Sequence, residues 1–148
     1  MIRLVHPVAG VLALLTIATF WLSTAFSELF GSQALVTSVK TAIPWGLLLL
    51  IPALAAAGSS GFFLAKGRRA ALIETKRKRM PIIAANGIGI LIPSALYLAS
   101  KARAAEFDTV FYAVQTLELI SGAANILLLG RNMLDGFKMK GRIRRPAV

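Results

Sequence analysis

The stretch FDTVFYAVQTLELISGAANILLLG, residues 107–130, has the length and the apolar character of a helix that crosses a membrane. At a rise of about 1.5 Å per residue, such a helix covers a hydrocarbon core of about 30 Å. Glu118 nevertheless lies near the centre of the stretch, about 13 Å along the helix axis from Thr109. A charged side chain at that depth costs several kcal/mol, so Glu118 is expected to face other helices and not lipid.

Three further apolar runs accompany this one, and together they indicate an all-α, multi-pass membrane protein. Of the 148 residues 57% are hydrophobic and only 16% are charged, and the mean hydropathy is +0.72. Because the connections are short, the four helices are expected to form an antiparallel bundle. The predicted membrane domain is residues 1–130, with spans at about 5–26, 41–64, 81–100 and 109–130. Residues 131–148 form a basic cytoplasmic tail.

The 17 Lys and Arg residues give a net charge of +11, and their positions predict the orientation of the chain. Most of them lie at the head, between residues 66 and 79, or in the tail, whereas the other two connections are neutral overall. The positive-inside rule therefore places both termini in the cytoplasm, with the bacterial inner membrane as the expected location. Next to a span, such a cluster contacts anionic lipid headgroups, so nucleic acid is not an expected partner.

Composition also restricts the chemistry. The chain has no cysteine and one histidine, which excludes disulfides, thiolate catalysis and thiolate metal sites. It contains no phosphate-binding glycine loop and no Ser–His–carboxylate set, so catalytic residues are not expected and an enzyme is not favoured.

The polar residues of the fourth span share one face. At 100° per residue, Gln115, Glu118, Gly122 and Asn125 fall within one narrow arc. The predicted substrate or proton path consists of residues on this arc and of polar residues on neighbouring helices: Glu118, Gln115, Asn125, Asn86, Tyr97 and Lys40. The alternative for the amides is interhelical hydrogen bonding worth about 1 kcal/mol or less each.

Lys40 lies at the rim of the second predicted span. It either extends to the lipid headgroups or faces the mouth of the bundle. Its depth differs from that of Glu118 by about a dozen Å on the predicted spans. Direct pairing is therefore expected to require an inward-pointing lysine and a locally broken helix near Pro44.

His6 precedes Pro7 at the start of the first span. It is either an interfacial histidine or an axial ligand of a haem b group, for which a symmetric dimer would supply two imidazoles.

Five segments of the sequence, HPVAG, TFWLSTAFSELFG, VKTAIPWG, RMPIIAANG and FYAVQTLELISGAAN, carry a resemblance. The chain resembles a family of small four-helix bacterial inner-membrane proteins, mostly uncharacterised and sometimes loosely labelled as transporters. The resemblance implies a location and a topology, not a chemistry. The arrangement is also superficially similar to the small multidrug transporters, but their essential glutamate is in the first helix.

The favoured function is a transporter or channel-like homo-oligomer with Glu118 as its protonatable site. Two alternatives remain: a haem- or quinone-binding redox protein that uses His6, and an accessory subunit of a larger membrane complex.

Overall fold

The computed structural model describes residues 2–66 and 71–139, and these residues form helices joined by short connections. The helices are α1 (Ile2–Phe30), α2 (Gln33–Ala65), α3 (Ala71–Asn86), α4 (Ile92–Arg103) and α5 (Thr109–Met139), with a π-helical segment at Gly87–Leu91 between α3 and α4. No strand occurs in either described range. The prediction of an all-α chain is therefore confirmed.

Within the described ranges, four helical stretches are long and apolar enough to cross a membrane: Leu4–Phe30, Gln33–Ala65, Ile73–Arg103 and Thr109–Lys138. The third of these joins α3, the π-helical segment and α4. Many large apolar side chains on these stretches point outward, among them Leu22, Trp45 and Ile120, which are 61–71% exposed. An apolar exterior of this kind is what a helix bundle presents to lipid, and it supports a multi-pass membrane protein.

The helices extend beyond the predicted spans because polar turns continue them past the apolar core. Helix α2 begins at Gln33 rather than at residue 41, and Ser32 caps it by accepting a hydrogen bond from the Leu35 N–H at 3.3 Å. Helix α5 continues to Met139, so residues 131–139 of the predicted tail are helical, whereas residues 140–148 lie outside the described residues. Residues 76–79, expected in a loop, belong to α3.

The π-helical segment Gly87–Leu91 lies just before Pro93. Proline lacks an N–H, and its ring collides with the carbonyl four residues earlier in an α-helix. Here the Ile92 N–H donates to the Gly87 carbonyl, one residue further back than in an α-helix. Helix α2, by contrast, continues without interruption through Pro44 and Pro52.

The buried interior consists of two apolar clusters. The larger includes Ala13, Ile17, Leu47, Ile83 and Leu129 among its buried members and joins α1, α2, α3, α4 and α5. The smaller joins α2, α4 and α5. It contains Val36, Leu98, Ala102 and Phe111 and has Tyr97 packed against it. Helix α1 packs on α2 and α5, and α2 also packs on α4, so these four helices surround the polar site described next.

Candidate intramembrane ion-pair site

An ion pair joins α2 to α5 inside the bundle. The Nζ atom of Lys40 lies 2.5 Å from Oε2 of Glu118, and their side chains are 0% and 12% exposed. Both charges are thus removed from solvent, and each is compensated by the other. Lys40 points into the bundle and does not extend to the surface.

The expected difference in depth between Lys40 and Glu118 was wrong, because α2 starts earlier than its apolar run. Lys40 lies seven residues after Gln33, and Glu118 lies nine residues after Thr109. These separations correspond to about 10 Å and about 13 Å of helix, so the two side chains meet between uninterrupted helices. No local break near Pro44 is needed.

Two neighbouring side chains complete the coordination of this pair. Lys40 Nζ donates to Thr24 Oγ1 at 3.4 Å, and Gln115 Nε2 donates to Glu118 Oε2 at 3.3 Å. Thr24 is 2% exposed and Gln115 is 3% exposed. The remaining amide oxygen of Gln115, Oε1, is buried and has no hydrogen-bond partner among the residues that the structure describes. The site therefore holds an unused acceptor.

Glu28 is a second carboxylate of the site, and it is not among the predicted site residues because it lies beyond the first predicted span, residues 5–26. It lies on α1, half-buried, and interacts electrostatically with both Lys40 and Glu118. Its Oε1 atom is buried and finds no hydrogen-bond partner in the described part of the chain. One feature of the sequence could have predicted this role: Glu28 lies four residues after Thr24, and residues i and i+4 share one face of a helix.

The three ionisable groups, Lys40, Glu118 and Glu28, are called the charge triad below. With all three ionised, the triad carries two negative charges and one positive charge. An unbalanced charge in a low-dielectric interior is unfavourable, so a further positive charge near the triad is favoured.

A cavity of about 60 Å³ adjoins Glu118 between α1, α2, α4 and α5. Apart from Thr24, Trp21 and Glu118 its lining is apolar, with Ile17 and Leu50 among the lining residues. A cavity needs roughly 10–15 Å³ of such volume to hold one water, so several small groups fit. The side chain of Trp21 forms part of the wall, and its Nε1 donates to the Leu119 carbonyl at 2.8 Å.

Asn86 and Asn125 of the predicted path form a separate contact between α3 and α5. Asn86 Nδ2 donates to Asn125 Oδ1 and to the Ser121 carbonyl, both at 2.9 Å, and Asn125 Nδ2 donates to the Ile83 carbonyl at 3.4 Å. Asn125 is 1% exposed. The structure thus brings Glu118, Gln115 and Lys40 together, while the two asparagines bond to each other. Tyr97 belongs to the smaller apolar cluster.

A second ion pair, which is partly buried, joins α3 and α5 near the end of α5. Arg79 Nη1 donates to Asp135 Oδ2 at 2.8 Å and to Asn132 Oδ1 at 3.4 Å. The Asp135 side chain is 12% exposed. A charge-assisted hydrogen bond therefore links Arg79, which was predicted to lie in a loop, to Asp135, which was predicted to lie in the tail.

His6 contacts α2. Its Nδ1 donates to the Ala57 carbonyl at 3.0 Å and lies 3.2 Å from Ser60 Oγ, and a Cβ placed on Gly61 would come within 2.9 Å of the imidazole. These contacts give the imidazole a packing role between α1 and α2. Its role as a haem or quinone ligand stays a prediction. Among residues 2–66 and 71–139, no group of three His, Asp or Glu side chains is arranged to hold a metal ion.

No family model, no curated protein and no solved structure matches this chain.

Proposed function

We propose that this protein is a small transporter of the bacterial inner membrane that moves protons, with Glu118 as the group that binds and releases them. The observation that carries the proposal is the buried Lys40–Glu118 ion pair beside a cavity. Intramembrane ionisable residues are costly, and they are characteristic of ion pathways and proton relays.

The physical argument concerns how the ion pair opens. Protonation of Glu118 removes its charge and weakens its attraction to Lys40, whose flexible stem then permits the ammonium to move. Gln115 and Thr24 hold the two groups in place until that step. The adjoining cavity provides space for water or a small substrate beside the carboxylate.

The proposed topology is an antiparallel bundle with both termini in the cytoplasm, based on the distribution of basic residues. The chain has no native cysteine, so in a single-cysteine variant any labelling by a thiol reagent occurs at the introduced position. Ser32→Cys and Ala104→Cys are expected to react with an impermeant maleimide added to intact spheroplasts, whereas Lys66→Cys reacts only after lysis. The opposite pattern would reverse the orientation.

A homodimer is the proposed assembly, because one bundle of four helices barely encloses a path. Anionic headgroups at the cytoplasmic face are the proposed lipid partners of the basic residues.

The test of function is proton flux in proteoliposomes that contain a trapped pH-sensitive dye, driven by a potassium gradient with valinomycin. The wild-type protein is expected to acidify or alkalinise the lumen faster than empty liposomes. Glu118→Gln should reduce the flux to the background, and Glu106→Gln, which changes a carboxylate in the α4–α5 connection, should retain it. Wild-type flux equal to that of empty liposomes, or full flux from a folded Glu118→Gln variant, would exclude the proposal.

A further inference from the structure

The charge triad and the cavity together define a site for a ligand, and they restrict its chemical class. This inference rests on the proposed function, because it concerns the co-substrate of the same site. Two observations point to a missing ligand. With all three groups ionised, the triad carries one negative charge in excess, and within residues 2–66 and 71–139 the oxygens Glu28 Oε1 and Gln115 Oε1 are buried acceptors without hydrogen-bond partners. An added cation balances the charge, and a hydrogen-bond donor that reaches Glu28 Oε1 satisfies that acceptor.

The cavity and Glu28 lie at different positions along α1. Along α1, Glu28 follows Thr24, whereas the cavity-lining residues Ile17 and Phe20 precede it. The cavity and Glu28 are therefore on opposite sides of the Lys40–Glu118 pair along the helix axis. Glu118 lines the cavity, so one carboxylate is available to a ligand there.

The size of the cavity limits the ligand. A dry cavity of about 150 Å³ accommodates benzene, which has six non-hydrogen atoms, so about 60 Å³ accommodates two or three. The wall is mostly apolar, which favours a short alkyl group. The residues described contain no group of three acidic or histidine side chains that could hold a metal ion, so a transition-metal ion is not the favoured cation.

We propose that the site binds a small primary alkylammonium ion, with its ammonium group on Glu118 and its alkyl group in the cavity, while Lys40 moves from Glu118 to Glu28. Lys40 is then a tethered counter-ion that the ligand displaces. In the resting state its ammonium occupies the position of the ligand's ammonium, between Glu118 and Thr24. With the ligand bound, two positive charges balance two carboxylates, and each ammonium has a carboxylate partner.

Equilibrium binding tests this proposal without any transport assay. The chain has two tryptophans; Trp21 lines the cavity and Trp45 is 71% exposed. In a Trp45→Phe background in detergent, ethylammonium chloride is expected to change the Trp21 emission saturably. Sodium chloride at the same concentration should not change the Trp21 emission. Methylammonium should bind similarly.

Glu28→Gln is expected to weaken ethylammonium binding at least tenfold, because the displaced Lys40 loses its second partner. The matched control Glu106→Gln should bind as the parent does. Absence of a saturable response to ethylammonium or methylammonium would overturn the inference, and so would binding that Glu28→Gln leaves unchanged. Proton flux that depends on Glu118 in the absence of amine binding would preserve the proposed function and remove only this inference.

Discussion

Lys40 and Glu118 form an ion pair inside the bundle, with side chains 0% and 12% exposed, and each charge is tolerated because the other is present. Removing one partner of a buried pair leaves an uncompensated charge, whereas replacing both by apolar groups is often nearly neutral. A single variant that is much less stable than the double variant therefore distinguishes an energetically coupled pair from two independent polar residues.

Lys40→Met is therefore expected to lower the free energy of unfolding by about 3–5 kcal/mol, because Glu118 must then stay charged without a partner or take up a proton. The double variant Lys40→Met with Glu118→Leu should recover most of that loss. The measurement is a denaturation cycle of the wild type, both single variants and the double variant in mixed micelles. Single-variant losses that simply add in the double variant would show that the two side chains are not coupled.

Ala105 occupies a left-handed backbone conformation with φ of 56° at the end of α4. The Glu106 N–H donates to the Lys101 carbonyl at 3.0 Å and the Ala105 N–H donates to the Ala102 carbonyl at 3.2 Å, which is the pattern of a Schellman motif. Glycine is the usual residue at this position because it has no Cβ.

Ala105→Gly should therefore stabilise the protein by about 1 kcal/mol, on the cost of a left-handed non-glycine residue. Ala104→Gly is the matched control, because Ala104 has φ of −80° and gains nothing from glycine. Thermal unfolding in detergent should give a higher midpoint for Ala105→Gly than for Ala104→Gly. The reverse order would contradict the assigned backbone conformation.

At the scale of the helices, the contact between α1 and α2 depends on a glycine. A Cβ placed on Gly46 would come within 2.6 Å of two atoms of the Phe20 ring. Close helix contact through small residues is the usual basis of packing in a membrane, where van der Waals contacts replace the hydrophobic effect.

Gly46→Ala is expected to cost about 1–3 kcal/mol of stability, the usual range for overpacking, because Phe20 must leave its position. Gly10→Ala is the control, since a Cβ at Gly10 meets nothing within 4 Å. The thermal midpoints of the two variants, measured side by side, decide the question. Equal midpoints would mean that the α1–α2 interface accommodates the extra methyl group.

The start of α5 depends on Asp108, which immediately precedes the helix. Its Oδ1 accepts a hydrogen bond from the Phe111 N–H at 2.8 Å, and its Oδ2 accepts one from Lys101 Nζ at 3.0 Å. These two bonds, first the backbone N–H and then the lysine, hold the pKa of Asp108 below its ordinary value.

Because the folded-state pKa is lower than the unfolded-state pKa, the stabilisation by Asp108 is complete above the unfolded value. It is lost as the pH falls through the folded value. The thermal midpoint of the wild type should therefore fall with acidification in this range more than that of Asp108→Asn, whose amide oxygen still caps the helix but does not titrate. Parallel curves for the two proteins would assign the acid sensitivity to other groups.

At the scale of the whole molecule, two ion pairs, the second only partly buried, connect different helices at different positions along α5. Lys40–Glu118 joins α2 to α5, and Arg79–Asp135 joins α3 to α5. Glu118 and Asp135 are separated by about 25 Å along α5 at about 1.5 Å per residue. Pairs so far apart share no side-chain partner.

The stability losses of Glu118→Gln and Asp135→Asn should accordingly add in the double variant to within about 0.5 kcal/mol. Unfolding in mixed micelles measures all four proteins of the cycle. A coupling energy well above that value would indicate that the two ion pairs are coupled through one conformational equilibrium of the bundle.

The sequence by itself determined that the chain is all-α with four stretches able to cross a membrane, because apolar length is read directly from residue types. It also determined that Gln115 and Glu118 share a face of α5, since helical periodicity is local. The tertiary structure alone decided that Lys40 reaches Glu118, that Glu28 joins them and that Asn125 bonds to Asn86 instead. Those contacts join residues distant in the chain. They depend on where polar turns extend a helix and on how neighbouring helices are rotated, and neither is encoded in the hydropathy of one segment.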